Sequence, residues 1–227
     1  MALRVPEQNI PHIKKLLELP DGKIEEFLDA LAKAGGHFNV YELAQEVSGR
    51  VELPKDLTTG IVSVLAGLYL TRDAQNTPIE ILLDQEVFIA LKKAETFSGD
   101  VDAQWAKLRR FLLAALGLEG TVGTAAKAGY VMTQHERIFA GARILTDVRP
   151  IFHLDVSEKP NSAVIIHMMR ITHRDNSENK MDQCFALDSN DIRTLKQLVD
   201  RALKKEETLR SLMKDSGVSV LHPKSFF

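Results

Sequence analysis

One cysteine, one tryptophan and an aromatic share of only 6% exclude several familiar designs at once. With Cys184 alone, no intrachain disulfide is open to the chain. Its place in a predicted strand suits a packed structural thiol in a reducing cytoplasm. No apolar run approaches the ~20 residues that span a bilayer. Pro6, Pro11 and several charges interrupt Met1–Pro20, so no signal pattern is expected there. A formal net charge of −2 gives no global pull toward nucleic acid or an anionic membrane. No internal repeat or low-complexity tract stands out. What remains is a chain of 227 residues, 44% hydrophobic and 26% charged, long enough to bury a real core and soluble by composition.

The C-terminal third carries the firmest pattern. Asp188 and Ser189 offer N-cap oxygens, and Asp191 puts negative charge in the first turn, where unpaired amides and the helix dipole favour it. Ile192, Leu195, Val199, Ala202, Leu209 and Met213 follow 3-4 spacing, and Leu198, Leu203 and Leu212 widen the stripe. Glu206 alone breaks the seam, and Gly217 supplies a left-handed stop. Such a helix spans roughly 40 Å at about 1.5 Å per residue, longer than a three-stranded sheet needs as cover.

Three alternating segments precede it, about Ile138–Val156, Ala163–His173 and Lys180–Leu187. In the first, Ile138, Ala140, Ala142, Ile144, Val148, Phe152, Leu154 and Val156 share one parity. Arg143, Asp147, Arg149, His153 and Asp155 share the other. Pro150 cannot donate to a ladder, so it argues for an edge strand, a bulge or a break. The second segment is apolar on both faces, as a covered or interfacial strand would be. Polar loops at Glu158–Asn161 and Arg174–Asn179 join the three.

The first ~118 residues read as six short helices, with stripes such as Ile10-Ile13-Leu16-Leu17 and Ile24-Phe27-Leu28-Leu31. The spacing places Asn39 and Asp100 as N-caps. Pro20-Asp21-Gly22 reads as a turn, and Thr77-Pro78-Ile79-Glu80 as a capping box. Residues 1–118 are therefore expected to form a helical domain, 119–137 a hinge with a short helix, and 138–227 a β-β-β-α module. The fold class is α+β.

Candidate chemistry is thin. A metal would need His153, His167 and His173 to converge, yet His167 and His173 stand about 20 Å apart along one strand face. His153 could meet His167 only if the hairpin register allowed it. Cys184 has no acid partner or oxyanion-forming turn to make it a nucleophile. Gly117, Gly120 and Gly123 imitate a phosphate loop, but the Gly-Lys-Ser/Thr ending is missing and no strand precedes them. The sequence thus names no catalytic residue, no metal ligand and no cofactor-binding residue, and it leaves any small-molecule ligand unknown.

Residues 39–70 allow a helix-turn-helix reading and with it a nucleic-acid-binding regulator. Leu57–Leu70 nevertheless carries no basic residue to read base edges, which disfavours a nucleic-acid partner. A third reading is an enzyme with a site assembled at a dimer interface, with His153 and His167 as polar candidates.

Leu145-Thr146-Asp147-Val148-Arg149 running to His153-Leu154-Asp155-Val156-Ser157, the apolar run Ala163–Ile171, and Phe185-Ala186-Leu187 before the long helix together resemble the C-terminal module of COMM-domain proteins. The likeness covers roughly the last 80 residues, with helices before them. The tryptophan usual in that module's first strand is absent: the only one is Trp105, and Pro150 stands near its place. The resemblance implies an obligate dimerisation module, with strands and helices of two chains interlocked, that serves as a scaffold.

The sequence reading is thus a cytoplasmic, non-enzymatic association protein without cofactor or membrane partner. It forms a homodimer or a heteromer with a related chain. Ile165, Met168, Met169, Leu209, Leu212 and Met213 are the interface candidates, because a lone sheet under an overlong helix leaves them to be covered.

Overall fold

The computed structural model describes residues 4–175 and 179–222, so Asn176, Ser177 and Glu178 of the second strand loop lie outside the described residues. The chain divides into two compact units, one of residues 1–131 with 221–227, the other of residues 132–220. Its α+β class follows from helices gathered in the first unit and a three-stranded antiparallel sheet with a C-terminal helix in the second.

The helical unit runs through α1 (Ile10–Glu18), α2 (Asp21–Lys33), α3 (Val40–Ser48), α4 (Lys55–Gln75), α5 (Ile79–Ile81), α6 (Phe88–Lys93), α7 (Val101–Leu116) and α8 (Thr124–Thr133). Two caps form where the side chains predict them. Asn39 Oδ1 accepts from the Glu42 amide at 2.9 Å, and Asp100 Oδ1 from the Asp102 and Ala103 amides at 3.1 Å. Thr77 differs: its hydroxyl donates back to the Gln75 carbonyl, and Pro78 enters α5 without a side-chain cap. Asp21 and Gly22 differ too. They form the first turn of α2 behind Pro20, whose fixed φ suits a helix entry as well as a turn.

Leu82–Val87, between α5 and α6, is π-helical, and so is Glu119–Gly123 after α7. The second of these falls on the expected hinge. Val122, Gly123, Ala125 and Ala126 are buried in the helical unit, and Gly123 serves close packing against Tyr69.

α4 is the axis of that core. Leu57, Ile61, Val62, Leu65, Ala66 and Tyr69 are buried along it, and it packs against α1, α3 and α7. Phe27 of α2 meets Phe111 of α7 with ring centroids 5.9 Å apart. Every buried apolar residue among those described lies between Ile13 and Ala126.

In the second unit β1 (Ile138–Ile151), β2 (Ser162–Arg174) and β3 (Lys180–Leu187) pair in the order β1-β2-β3, which makes β1 an edge strand able to hold Pro150. The expected strand to Val156 stops at Ile151. Beyond it Asp155 closes a local turn, accepting from the Ser157 amide at 2.9 Å and hydroxyl at 2.6 Å. α9 (Ser189–Asp215) opens on a full capping box: Asp188 Oδ1 accepts from the Asn190 and Asp191 amides, and Asp191 accepts from the Asp188 amide. It closes at Gly217 with φ +73°.

Candidate functional site

The register sorts the sheet into two faces, because residues paired across antiparallel strands point the same way. Ile144 pairs with Met169 and Met169 with Phe185; Val148 pairs with Ile165, and Ala142 with Ile171. A bulge between Phe139 and Gly141 shifts the pairing by one, so Phe139 stands opposite His173 on the same face, and Met181 opposite His173 from the other side. One face is thus apolar from end to end. Its polar members are Gln183, His173 and a hydrogen-bonded pair, Thr146 Oγ1 and His167 Nδ1 at 2.8 Å.

The opposite face carries the charges. Thr172 donates to Asp182 at 2.6 Å, and Arg170 lies 3.6 Å from the same carboxylate. Leu145, Ile166 and Met168 are half-buried on this side.

The apolar face is bare over much of its area, although Met169 and Ile171 are half-buried on it. Phe139, Ile144, Val148, Ile165 and Met181 are each about half exposed or more, and Phe185 is 42% exposed. α9 touches β2 and β3, yet none of its residues is buried. Ile192, Leu195 and Met213 are half-buried, while Leu198, Val199, Leu203, Leu209 and Leu212 are more than half exposed along its stripe. The sequence candidates divide accordingly. Ile165 and Met169 share the apolar face, Met168 points to the other, and Leu209, Leu212 and Met213 fall within one turn or so of α9.

His173 is the one buried residue of this unit among those described, and neither of its ring nitrogens has a hydrogen-bond partner. The bulge that brings Phe139 opposite it was not legible beforehand. Cys184 also differs from expectation, being exposed on the charged face across from Arg170.

The register places Thr146, not His153, opposite His167, and His153 lies beyond the end of β1. Among the described residues no group of three His, Cys, Asp or Glu side chains could hold a metal ion. α4, the would-be recognition helix, is buried along its length and exposes Ser63 and Gly67 at its middle, neither of them basic.

Two polar clusters in the helical unit escaped the sequence reading. In one, Tyr69 donates its hydroxyl to Glu119, Arg72 reaches the same carboxylate at 2.8 Å, and Lys127 pairs with Asp73 at 2.7 Å. The Arg72 and Lys127 cations both lie over the Tyr69 ring, 5.4 and 5.7 Å from its centroid. Burial and the Glu119 carboxylate push the Tyr69 hydroxyl above its ordinary pKa. Hydrogen bonds from Tyr69 and Arg72 hold Glu119 below its own. A carboxylate thus occupies the turn that imitates a phosphate loop, where it would repel an anion.

In the other cluster, buried His37 approaches Glu46 at 2.6 Å through Nε2, and Arg50 donates to Glu46 at 2.6 Å. Burial pushes the Glu46 carboxyl up, but bonds from Arg50 and His37 outweigh it and leave the group below its ordinary value. The i,i+4 run Glu42, Glu46, Arg50 was the available signal. Both clusters are closed by their own partners and read as ties between elements. Among the described residues no helix is long and apolar enough to cross a membrane. No protein-family model matches this chain, and none of the curated proteins matches it.

Proposed function

We propose that this chain is a non-enzymatic association protein whose β-β-β-α unit pairs with a second copy of itself. One observation carries the reading: a sheet face and a helix stripe, both apolar and both uncovered, in a unit whose only buried residue among those described is a histidine. About ten large apolar side chains are involved. Covering the half of each that is exposed contributes about 1 kcal/mol, so about 20 kcal/mol for a symmetric pair, against roughly 4–15 kcal/mol lost on association.

A second copy fits because the face carries no charge of one sign. Its polar members, Thr146, His167, His173 and Gln183, are uncharged while both histidines are neutral, so an identical face then meets no repulsion. The resemblance to COMM-domain proteins points the same way. A lone exposed thiol suits a reducing compartment, which supports a cytoplasmic location.

Sedimentation equilibrium of the full chain, diluted through the low micromolar range, tests the reading. A dimer that dissociates only on dilution is expected. A monomer at every concentration overturns self-pairing, and a complex formed only with another chain replaces the second copy by a relative.

A further inference from the structure

We propose that the helical unit holds a binding pocket for a small amphiphile, a carboxylate with an apolar tail of about six carbons. A cavity of about 180 Å³ opens among α1, α4, α6 and α7. Its walls include Ile13, Leu65, Leu91, Phe111 and Leu112, all buried members of the core. Its polar lining is confined to Arg4, Asn9, His12 and Thr71. Water needs two to four polar partners to settle in a cavity, and the apolar part of this wall gives none; an engineered cavity of about 150 Å³ with apolar walls takes up benzene. The size sets the tail: one ring, or a chain of about six carbons.

Backbone features keep the space open. Gly67 of α4 lines the cavity, and a Cβ built there would meet no atom within 4 Å. A glycine inside a helix disfavours it relative to alanine, and Gly67 stands at the exposed mouth of the cavity, where a larger side chain has space to reach across the opening. Val87, another wall residue, ends the π-helical turn Leu82–Val87, a widened conformation that recurs at functional sites. His12 is held at the lining by close approach to α4, where a Cβ on Gly60 would fall 2.3 Å from its ring.

The charge at the lining sets the head. Arg4 forms no ion pair among the described residues. The shallow cleft beside the cavity holds Arg4 and Lys93 against Glu7, an excess of one positive charge. A carboxylate whose tail fills the cavity would place its charge beside Arg4, with the side-chain amide of Asn9 as a donor in the same lining.

The test uses the full chain with labelled methyl groups, titrated separately with hexanoate, hexanol and hexylamine. Hexanoate is expected to shift the methyls of Leu65, Val87 and Leu91 saturably, and to bind about tenfold more tightly than hexylamine. Arg4→Ala is expected to weaken hexanoate about tenfold and leave hexanol unchanged. Gly67→Leu fills the space and is expected to abolish the shifts while the unfolding midpoint holds or rises. Gly67→Ala, with a methyl that meets nothing, is expected to weaken binding to a smaller degree and guards against a misfolded leucine variant. Absence of saturable shifts, shifts that survive Gly67→Leu, or shifts confined to Ile144 and Val148 of the sheet would each overturn the pocket. Equal binding of hexanoate and hexylamine overturns the carboxylate. None of these outcomes bears on pairing through the sheet.

Discussion

Gly123 lies directly against the Tyr69 ring: a Cβ on Gly123 would fall 2.7 Å from both Cζ and the hydroxyl oxygen. The ring has little room to give way. It is buried, its hydroxyl is tied to Glu119, and two cations lie over its face. Gly123→Ala is therefore expected to destabilise the helical unit by about 1–3 kcal/mol, the range for overpacking a core. Chemical unfolding checks this, and a smaller effect of Gly123→Ala in a Tyr69→Leu background would locate the clash at the ring.

Acid should loosen the same tie. The Glu119 carboxyl is held below its ordinary pKa of 4.5, first by the Tyr69 hydroxyl and then by Arg72. A group whose folded pKa is depressed contributes stability that is present above the unfolded value and lost as pH falls through the folded one. Glu119→Gln should thus lower the unfolding midpoint at about pH 7, and the gap to the parent chain should close on acidification below about pH 4. Because the Glu119 side chain is 58% exposed, solvent screens the pair and the gap at neutral pH should be about 1 kcal/mol or less. Urea unfolding at several pH values reads both.

On the sheet, Val148 of the edge strand β1 is 64% exposed on the apolar face and opposite Ile165, toward the β1–β2 turn. Val148→Asp leaves the isolated sheet little changed, since its side chain already meets solvent. Buried in a pair it would put two unpaired carboxylates in an apolar interface, each costing several kcal/mol. A loss of at least a hundredfold in dimer affinity is expected, with unchanged circular dichroism of the monomer. The same substitution at Thr172, on the charged face, should have little effect on sedimentation.

At the head of α9, Asp188→Ala removes the side chain that satisfies the Asn190 and Asp191 amides. A cost of about 1 kcal/mol to the second unit is expected. Asp188→Asn should restore most of it, because the amide oxygen can still accept; thermal melts of the three chains decide.

What the sequence showed clearly was local. Asn39, Asp100, Asp188 and Gly217 act within a turn of their own positions, so a short window contains the whole interaction. The alternation of Ala142, Ile144 and Val148 gave the sheet face in the same way. Thr77 misled because a capping motif and an alternative bond to Gln75 look alike in sequence. Phe152 to Val156 continued the alternation past the point where Asp155 turned the chain. The bulge that recruits Phe139, the burial of His173 and the tie between Tyr69 and Glu119 depend on register or on partners far along the chain. No window of sequence holds both halves of such a contact.

The placement of the core has a temporal corollary. Its last buried apolar residue, Ala126, is added to the growing chain before the first strand residue, Ile138. The helical bundle can therefore close while the sheet is still being synthesised, and β1, β2 and β3 then join as successive hairpins between sequence neighbours. Translation order and folding order run in the same direction here. The apolar strands are made after the helical unit's own buried side chains, and α9 follows them.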